Sequence, residues 1–299
     1  MTMASKEILI TGAGGQLGTE LQRCAWPEGW TVTAVDVAEL DLRDTAAILG
    51  LVTSRPWAAV INGAAYTAVD KAETDLVTAW AVNAMAPAAF AEGCVKAGIP
   101  LVQVSTDYVF AGDKAGAWEV EDPVAPLGVY GASKLGGELA VRTSGVRHAI
   151  VRTAWVVSAH GANFVKTMLR VAETRDTLNV VADQRGSPTS AADLAAALTT
   201  IAVRLVEDAD APTGTFHFSN AGDISWADFA TEIFRQSRLR GGPDADVVPI
   251  PSSAYPTPAQ RPANSLLSHD AIRAAYGITP RDWRIALSDI LNELIGAAQ

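Results

Sequence analysis

Residues 7–25 read EILITGAGGQLGTELQRCA, and this stretch decides the fold. A short apolar run, Ile8–Ile10, precedes Gly12, Gly15 and Gly18, and a pattern compatible with a helix follows. The glycines let the backbone approach a pyrophosphate closely, and the helix N-terminus directs its free N–H groups at the phosphates. The spacing GxxGxxG differs from the commonest fingerprint, GxGxxG, but makes similar physical demands. We therefore predict a strand–turn–helix unit that binds a dinucleotide.

A second strand-like segment, TVTAVDVAEL, carries Asp36 24 positions after Gly12. A carboxylate at this place commonly accepts hydrogen bonds from the ribose hydroxyls of NAD. It would repel the 2′-phosphate of NADP unless a nearby cation compensates, and Arg43 is close in sequence. The expected cofactor is therefore NADPH or NADH. Asp41 and Leu42 follow in a loop that could flank the adenine.

Apolar runs continue along the first half of the chain and alternate with helical patterns. The runs are AAVINGAA (58–65), PLVQVSTDYVF (100–110) and HAIVRTAWVV (148–157), with an Ala-rich helical segment over 76–97. This alternation predicts an α/β fold, a Rossmann-type doubly wound parallel sheet, in which ligands bind beyond the carboxyl ends of the strands.

After Val157 the alternation loosens, which predicts a smaller, mixed α/β substrate-binding domain. We expect residues 1–157 plus 191–219 to form the NAD(P)-binding domain and residues 158–190 plus 220–299 to form the substrate domain. GTFHFSN (214–220) is predicted to return to the first domain as a late strand. The amphipathic segment after Ser225 is predicted to place three aromatic residues in the core: Trp226, Phe229 and Phe234.

Composition excludes several classes of function. The net charge of −10 argues against a nucleic-acid or anionic-membrane surface, because both require clustered Lys and Arg. The two cysteines do not form a CxxC, and the four histidines have no ligand spacing, so we predict neither a disulfide framework nor a zinc site. No apolar stretch reaches the roughly 18 residues of a membrane span, and no leader pattern opens the chain. We expect a cytoplasmic protein.

VYGASKLGGE (129–138) places Tyr130 and Lys134 one helical turn apart, so that both side chains project from the same face. The unperturbed pKa of tyrosine is about 10, and a nearby cation lowers it. The hydroxyl of Thr106, or of Ser105, at the end of an earlier strand could orient a carbonyl oxygen. Together these groups predict a proton-transfer device for a carbonyl that accepts a hydride.

The motifs in chain order resemble those of the extended short-chain dehydrogenase/reductases and, more narrowly, the dTDP-4-dehydrorhamnose reductase family. The narrower resemblance depends on segments that extend over nearly the whole chain: NGAAYTAVDKAE (62–73), VSTDYVF (104–110), VYGASKLGGE (129–138), RTAWVVS (152–158), DQRGSPTSAADLA (183–195) and RPANSLLS (261–268).

The resemblance implies hydride transfer from NAD(P)H to the C4 ketone of a nucleotide-linked 4-keto-6-deoxy sugar, dTDP-4-dehydro-L-rhamnose. The implied catalytic residues are Thr106, Tyr130 and Lys134. The expected cofactor-binding residues are Gly12, Gly15, Gln16, Leu17, Gly18, Asp36, Asp41, Leu42, Ala64, Ala65, Tyr66, Tyr130 and Lys134. The expected substrate-binding residues are Thr106, Asp107, Tyr108, Tyr130, Trp155, Gln184 and Arg261. Two alternatives stay open: a reductase or epimerase of another nucleotide-linked 4-keto sugar, and a non-catalytic regulatory subunit on the same fold.

Some members of this family are dimers bridged by magnesium between carboxylates. One such carboxylate would correspond to Glu20, but Ala191 and Ala192 precede Asp193 where another would fall. We therefore predict no metal, and either a monomer or a homodimer.

Overall fold

The structure, a computed structural model, describes residues 6–297, so the outermost ends of the predicted domains, 1–5 and 298–299, lie outside it. In chain order the strands are β1 (Lys6–Thr11), β2 (Trp30–Val35), β3 (Ala59–Asn62), β4 (Leu101–Thr106), β5 (His148–Thr153), β6 (Val156–Val157), β7 (Thr177–Val181), β8 (Arg185–Gly186), β9 (Thr189–Ser190), β10 (Gly214–His217), β11 (Ile224–Ser225) and β12 (Asp246–Ile250).

The α-helices are α1 (Gln16–Arg23), α2 (Thr45–Thr53), α3 (Val69–Ala72), α4 (Leu76–Trp80), α5 (Ala86–Ala97), α6 (Val129–Thr143), α7 (Phe164–Ala172), α8 (Ala191–Glu207), α9 (Trp226–Arg238), α10 (Asp270–Tyr276) and α11 (Trp283–Leu294). A π-helical turn, Ala81–Met85, joins α4 to α5, and short 3₁₀ turns occupy Asp107–Val109 and Ser252–Ala254. Within residues 6–297, no helix combines the length and the apolar character needed to cross a bilayer.

The main sheet has six parallel strands in the order β10-β5-β4-β3-β1-β2. Helices cover both of its faces, which is why the strands are nearly continuous apolar runs. Ile8 and Ile10 pack into a core with α1 and α8, whereas Leu9 packs into the opposite core with α2 and α5. The predicted doubly wound sheet is confirmed, and GTFHFSN supplies its edge strand β10, parallel to β5.

The second lobe is built around α7, α9, α11 and the parallel pair β7/β12. Phe229 and Phe234 are buried in its core, as predicted, and the partly buried Trp226 packs against the same core with its ring stacked on Trp155 near the lobe junction. The predicted domain boundary differs in one element. Helix α10 packs on the main-sheet core through Ile272 rather than on the second lobe.

One segment differs locally from the sequence expectation. HAIVRTAWVV is predicted as one strand, but β5 ends at Thr153 and β6 begins at Val156, because Trp155 has a positive φ of 50° that no strand accommodates. Helix α8 begins at Ala191. Ser190 caps it by accepting a hydrogen bond from the backbone N–H of Asp193.

Candidate active site

The glycine turn between β1 and α1 has the geometry that the spacing predicts. Gly12 has φ +79°, a conformation that favours glycine, and its carbonyl accepts the N–H of Gly15 at 3.0 Å. A Cβ on Gly18 would lie 1.9 Å from the Gly12 carbonyl oxygen, so only glycine lets α1 pack this close to the turn. The N-terminus of α1 therefore lies directly against the carboxyl end of β1.

Asp36 follows β2 at the same edge of the sheet. Its carboxylate accepts the backbone N–H of Gly14 and that of Val37, each at 2.8 Å. One of its oxygens lies 2.5 Å from where a Cβ on Gly14 would be, so this contact requires glycine at position 14 as well. Gly14 stands within the motif but is not among the predicted site residues. Asp36 thus holds the turn while it faces the site.

Arg43, the cation that could compensate for a 2′-phosphate, is paired in this structure. Its guanidinium contacts both carboxylate oxygens of Asp41, at distances from 2.5 to 3.0 Å. The guanidinium lowers the pKa of the Asp41 carboxyl to about 2. The ion pair is exposed at the rim, where water screens it.

A cavity of about 760 Å³ extends along the carboxyl ends of β1 to β5. At one end it is bordered by the loop after β2, which includes Asp41 and Leu42, and at the other by Trp155. The following predicted site residues line it: Gly12, Gly15, Gln16, Leu17, Gly18, Asp36, Asp41, Leu42, Ala64, Ala65, Tyr66, Thr106, Asp107, Tyr108, Tyr130, Lys134 and Trp155. The topology therefore brings residues from distant segments to one surface.

Two predicted substrate residues, Gln184 and Arg261, lie outside that lining. Gln184 donates to the Ser252 hydroxyl at 2.9 Å. The Arg261 guanidinium forms a two-pronged ion pair with Asp70, with both N···O distances 2.8 Å. Burial raises the pKa of Tyr108, which lines the cavity, and the nearby Arg261 partly opposes that shift. Arg261 is thus close to the cavity edge, with its charge already engaged.

The proposed catalytic side chains come from two neighbouring elements. Thr106 ends β4, and Tyr130 and Lys134 lie in the first two turns of α6. The Lys134 ammonium donates to the Val104 carbonyl at 2.7 Å. The Thr106 hydroxyl donates to Asp107 at 2.9 Å and accepts the N–H of Tyr108 at 3.2 Å. These contacts fix the position of the hydroxyl and of the ammonium.

Burial shifts the pKa values of these groups. Burial raises the pKa of Tyr130 to about 12, although the Thr106 hydroxyl lowers it in part. Burial lowers the pKa of Lys134 to about 8, and the Glu138 carboxylate partly opposes that shift. The expected lowering of the Tyr130 pKa is therefore wrong for this structure, because the loss of hydration around the phenolate raises that pKa. At neutral pH the phenol keeps its proton and most of the amine is charged.

Small residues let α6 approach the rest of the site. A Cβ on Gly131 would lie 2.1 Å from the Tyr108 carbonyl oxygen, and one on Gly137 would lie 2.2 Å from the Asn83 carbonyl oxygen. The glycine-rich sequence around Tyr130 is thus explained by close backbone packing against the 3₁₀ turn after β4 and against the π-helical turn.

The π-helical turn supplies a residue that the sequence reasoning missed. Asn83, 2% exposed, accepts the N–H of Tyr66 at 2.9 Å and donates to its carbonyl at 3.1 Å. The same amide donates to the Ser133 hydroxyl on α6 at 3.0 Å. π-helical turns occur often at functional sites. A lone Asn in an Ala-rich apolar segment was the signal that could have identified it.

A buried ion pair lies one turn beyond Lys134. Arg152 on β5 donates to both oxygens of Glu138, at 2.9 and 2.8 Å, and both side chains are almost fully buried. Ser105 donates to Glu138 at 2.6 Å. The hydroxyl of Ser105, the alternative carbonyl-orienting group, is therefore bound to the buried Glu138, although both Ser105 and Thr106 line the cavity.

Glu20, His160 and Glu293 offer ligand-type atoms within 4.8 Å of one another. The Arg23 guanidinium contacts His160 and donates to Glu293 at 2.8 Å. Arg23 therefore supplies positive charge at this cluster. Asp193, near the other expected carboxylate position, is bound by Arg281 at 2.9 Å. That no metal is used stays a prediction.

A family model and a curated relative match nearly the whole chain. A family model described as the RmlD substrate binding domain matches residues 6–295. The dTDP-4-dehydrorhamnose reductase of Aggregatibacter actinomycetemcomitans is 41% identical over 288 residues, 95% of this chain and 97% of that protein.

Two solved structures are also similar. One is a dTDP-4-dehydrorhamnose reductase from Clostridium acetobutylicum, with 39% identity, a TM-score of 0.89 and coverage of 96% of this chain and 99% of that chain. The other is the dTDP-4-dehydrorhamnose reductase of Bacillus anthracis in complex with NADP, with 35% identity, a TM-score of 0.89 and coverage of 97% and 99%.

Proposed function

The chain belongs to the dTDP-4-dehydrorhamnose reductase family, and on that premise we propose that it reduces the C4 ketone of dTDP-4-dehydro-L-rhamnose to dTDP-L-rhamnose, with NADPH or NADH as the reductant. The observation that carries the proposal is the meeting of Thr106, Tyr130 and Lys134 on the cavity that also contains the glycine turn. An acid, a cation and a hydroxyl beside a dinucleotide-type turn suit carbonyl reduction.

The residues at the glycine turn fit a dinucleotide. Gly18 leaves room for α1 against the turn, the α1 N-terminus presents free N–H groups, and the Asp36 carboxylate stands where it would accept hydrogen bonds from ribose hydroxyls. A bound nicotinamide would supply the hydride. Asp36 favours an unmodified ribose, whereas Arg43 is the nearby cation for a 2′-phosphate, so the proposal includes both reductants.

Each catalytic side chain has a proposed task. Tyr130 donates its proton to the oxygen of the reduced ketone, and its raised pKa keeps that proton available at neutral pH. Lys134 places a positive charge one turn away, which lowers the cost of the phenolate left behind. Thr106, whose hydroxyl donates to Asp107 in this structure, turns that proton to the ketone oxygen when the substrate binds and holds the oxygen near the phenol.

On the substrate side, we propose that Arg261 binds the diphosphate of the nucleotide sugar. Asp70 occupies the two terminal nitrogens of the guanidinium, and the Nε edge has no partner among the contacts formed within residues 6–297. That edge can donate two parallel hydrogen bonds to a phosphate. Gln184 is proposed to contact the same substrate from the second lobe. A cytoplasmic location and the monomer or homodimer state stay predictions.

The experiment mixes purified protein with dTDP-4-dehydrorhamnose and either NADPH or NADH, follows the loss of nicotinamide absorbance, and identifies the product by NMR. We expect oxidation of the reductant and dTDP-L-rhamnose as product. Oxidation with another 4-keto sugar only would point to a different reductase. No oxidation with either reductant would favour the non-catalytic regulatory subunit.

The Tyr130→Phe variant tests the proposed acid. Removing a general acid costs about 10²–10⁴ in rate, and dinucleotide binding should stay unchanged. Tyr276→Phe is the matched control, because its hydroxyl donates to the Pro212 carbonyl, outside the cavity. Normal turnover by Tyr130→Phe would show that another group donates the proton.

A further inference from the structure

Trp155 is the one non-glycine residue within 6–297 that has a positive φ, at 50°. It is also a cavity-lining residue, at the break between β5 and β6. A bulky side chain in the left-handed region is a true outlier, which persists only when its surroundings hold it there. The neighbours of Trp155 must therefore hold the indole in place.

The Trp155 ring stacks on Trp226, the first residue of α9. The ring centroids are 3.6 Å apart and the planes differ by 14°. Trp226 in turn contacts Phe164 at 4.6 Å, and Phe164 stacks on Phe229 at 5.6 Å in the core of the second lobe. A chain of rings thus connects the cavity wall with a buried core, and Trp226 itself lies outside the cavity lining.

A second contact, with Gly186 in β8, restricts the movement of the indole. A Cβ on Gly186 would lie 2.7 Å from the Trp155 ring, closer than real Cβ contacts. Gly186 pairs with Ile224 in the β8/β11 ladder, and Trp226 follows that ladder directly. The two elements that touch the indole are therefore tied to each other, and the ring has little freedom to move.

We propose that Trp226 is a positioning residue for the hexose of the nucleotide sugar, acting through Trp155, which it holds as a rigid aromatic wall of the sugar pocket. This inference rests on the proposed function, because it assumes that a nucleotide-linked hexose enters the cavity. A 6-deoxy sugar presents a methyl group and C–H faces, which suit an apolar aromatic wall. The nucleotide and the reductant do not depend on Trp226.

The test is calorimetric binding of dTDP and of dTDP-L-rhamnose to the full chain, with NADP⁺ or NAD⁺ as an independent readout. The difference in affinity between dTDP-L-rhamnose and dTDP isolates the hexose. For Trp226→Ala we expect dTDP-L-rhamnose to bind about tenfold more weakly, while the affinity for dTDP and for the dinucleotide stays within about twofold. Trp226→Phe, which keeps a stacking ring, should recover most of the loss.

Gly186→Ala tests the same wall without removing Trp226. Its new Cβ displaces the indole, so the hexose increment should again be lost. Trp26→Leu is the matched control, because Trp26 stacks on Trp30 at 6.1 Å and neither ring lines the cavity. We expect it to bind both nucleotides as the wild type does. Gly186→Ala and Trp226→Phe keep the test decisive if Trp226→Ala does not fold.

The outcomes separate the inference from the proposed function. If the wild type binds dTDP-L-rhamnose no better than dTDP, the hexose assignment itself is wrong, and the inference falls with it. If the wild type shows the hexose increment and the Trp226 and Gly186 variants keep it, Trp226 has no positioning role although the proposed function stands. Equal weakening of dTDP and dTDP-L-rhamnose would also overturn the inference.

Discussion

Replacing Asp107 by Asn should stabilise the protein, and the gain should grow with pH. Asp107 is 3% exposed, and its Oδ2 has no hydrogen-bond partner among the described residues. Burial raises the pKa of its carboxyl from 3.8 to about 6, although the Ser265 and Thr106 hydroxyls partly stabilise the anion. A carboxyl with a raised pKa favours the folded state when it is protonated. Its contribution is therefore lost as pH rises from about 4 through about 6.

The size of the effect follows from the difference between the two pKa values. Two pKa units correspond to about 3 kcal/mol, so the ionised carboxylate costs the folded state about 3 kcal/mol at pH 7.5. At pH 5 the same linkage gives about 1.5 kcal/mol, because the folded state still holds its proton. The asparagine does not titrate. Any hydrogen bond that the asparagine loses changes the free energy of unfolding by the same amount at every pH. The change with pH therefore reports the titration of Asp107.

The assay is urea unfolding of the wild type and Asp107→Asn at several pH values between 5 and 7.5. We expect the free energy of unfolding of the variant, relative to the wild type, to rise by about 1.5 kcal/mol over that range. The exposed Asp113→Asn is the control and should show no such rise. A flat or falling difference for Asp107→Asn would refute the reasoning. The variant should also turn over more slowly, because an amide holds the Thr106 hydroxyl less firmly than a carboxylate does.

Three further predictions concern other parts of the site. Gly18→Ala should abolish dinucleotide binding, measured by fluorescence titration, because its Cβ would lie 1.9 Å from a carbonyl oxygen. The control Gly50→Ala should bind the dinucleotide normally, because nothing lies within 4 Å of its Cβ. Equal binding by both variants would refute the packing argument. Glu138→Gln should lower the free energy of unfolding by about 3–5 kcal/mol, because it leaves Arg152 buried without its anion, and a loss under 1 kcal/mol in urea melts would contradict this. The kcat/KM for the proposed ketone should fall above about pH 8, because the pKa of Lys134 is about 8 and the ammonium loses its proton there. A pH profile that stays level to pH 9 would contradict the proposed role of the Lys134 charge.

The sequence was sufficient where local spacing carries the information. The glycine turn is specified by residues six positions apart, and the alternation of strands with helices specifies a parallel sheet. The carboxyl ends of parallel strands meet at one edge, so Asp36 and Thr106 could be assigned to a common surface without knowledge of their contacts. Tyr130 and Lys134 follow from the helical repeat alone.

Contacts between residues that are far apart in the chain could not be predicted from the sequence. Arg261 and Asp70 are 191 positions apart, and nothing in either segment indicates that they meet. The π-helical position of Asn83 depends on how α6 packs against it. Trp226 packs against the core of the second lobe, as predicted, but its contact with Trp155 was not predicted. Helical periodicity identifies the apolar face of α9, but it cannot show that one ring at the helix start stacks on the junction with the other lobe.

The order in which the lobes are connected has a consequence for biosynthesis. When a ribosome has made 157 residues, the nascent chain has five strands of the main sheet but lacks α8, which covers Ile8 and Ile10 through residues such as Leu198. Residues 158–190 are translated before α8 and β10 complete the main-sheet lobe. The main-sheet lobe therefore cannot mature before α8 and β10 have been made, and a truncation after residue 157 should yield an aggregation-prone fragment rather than a minimal nucleotide-binding module.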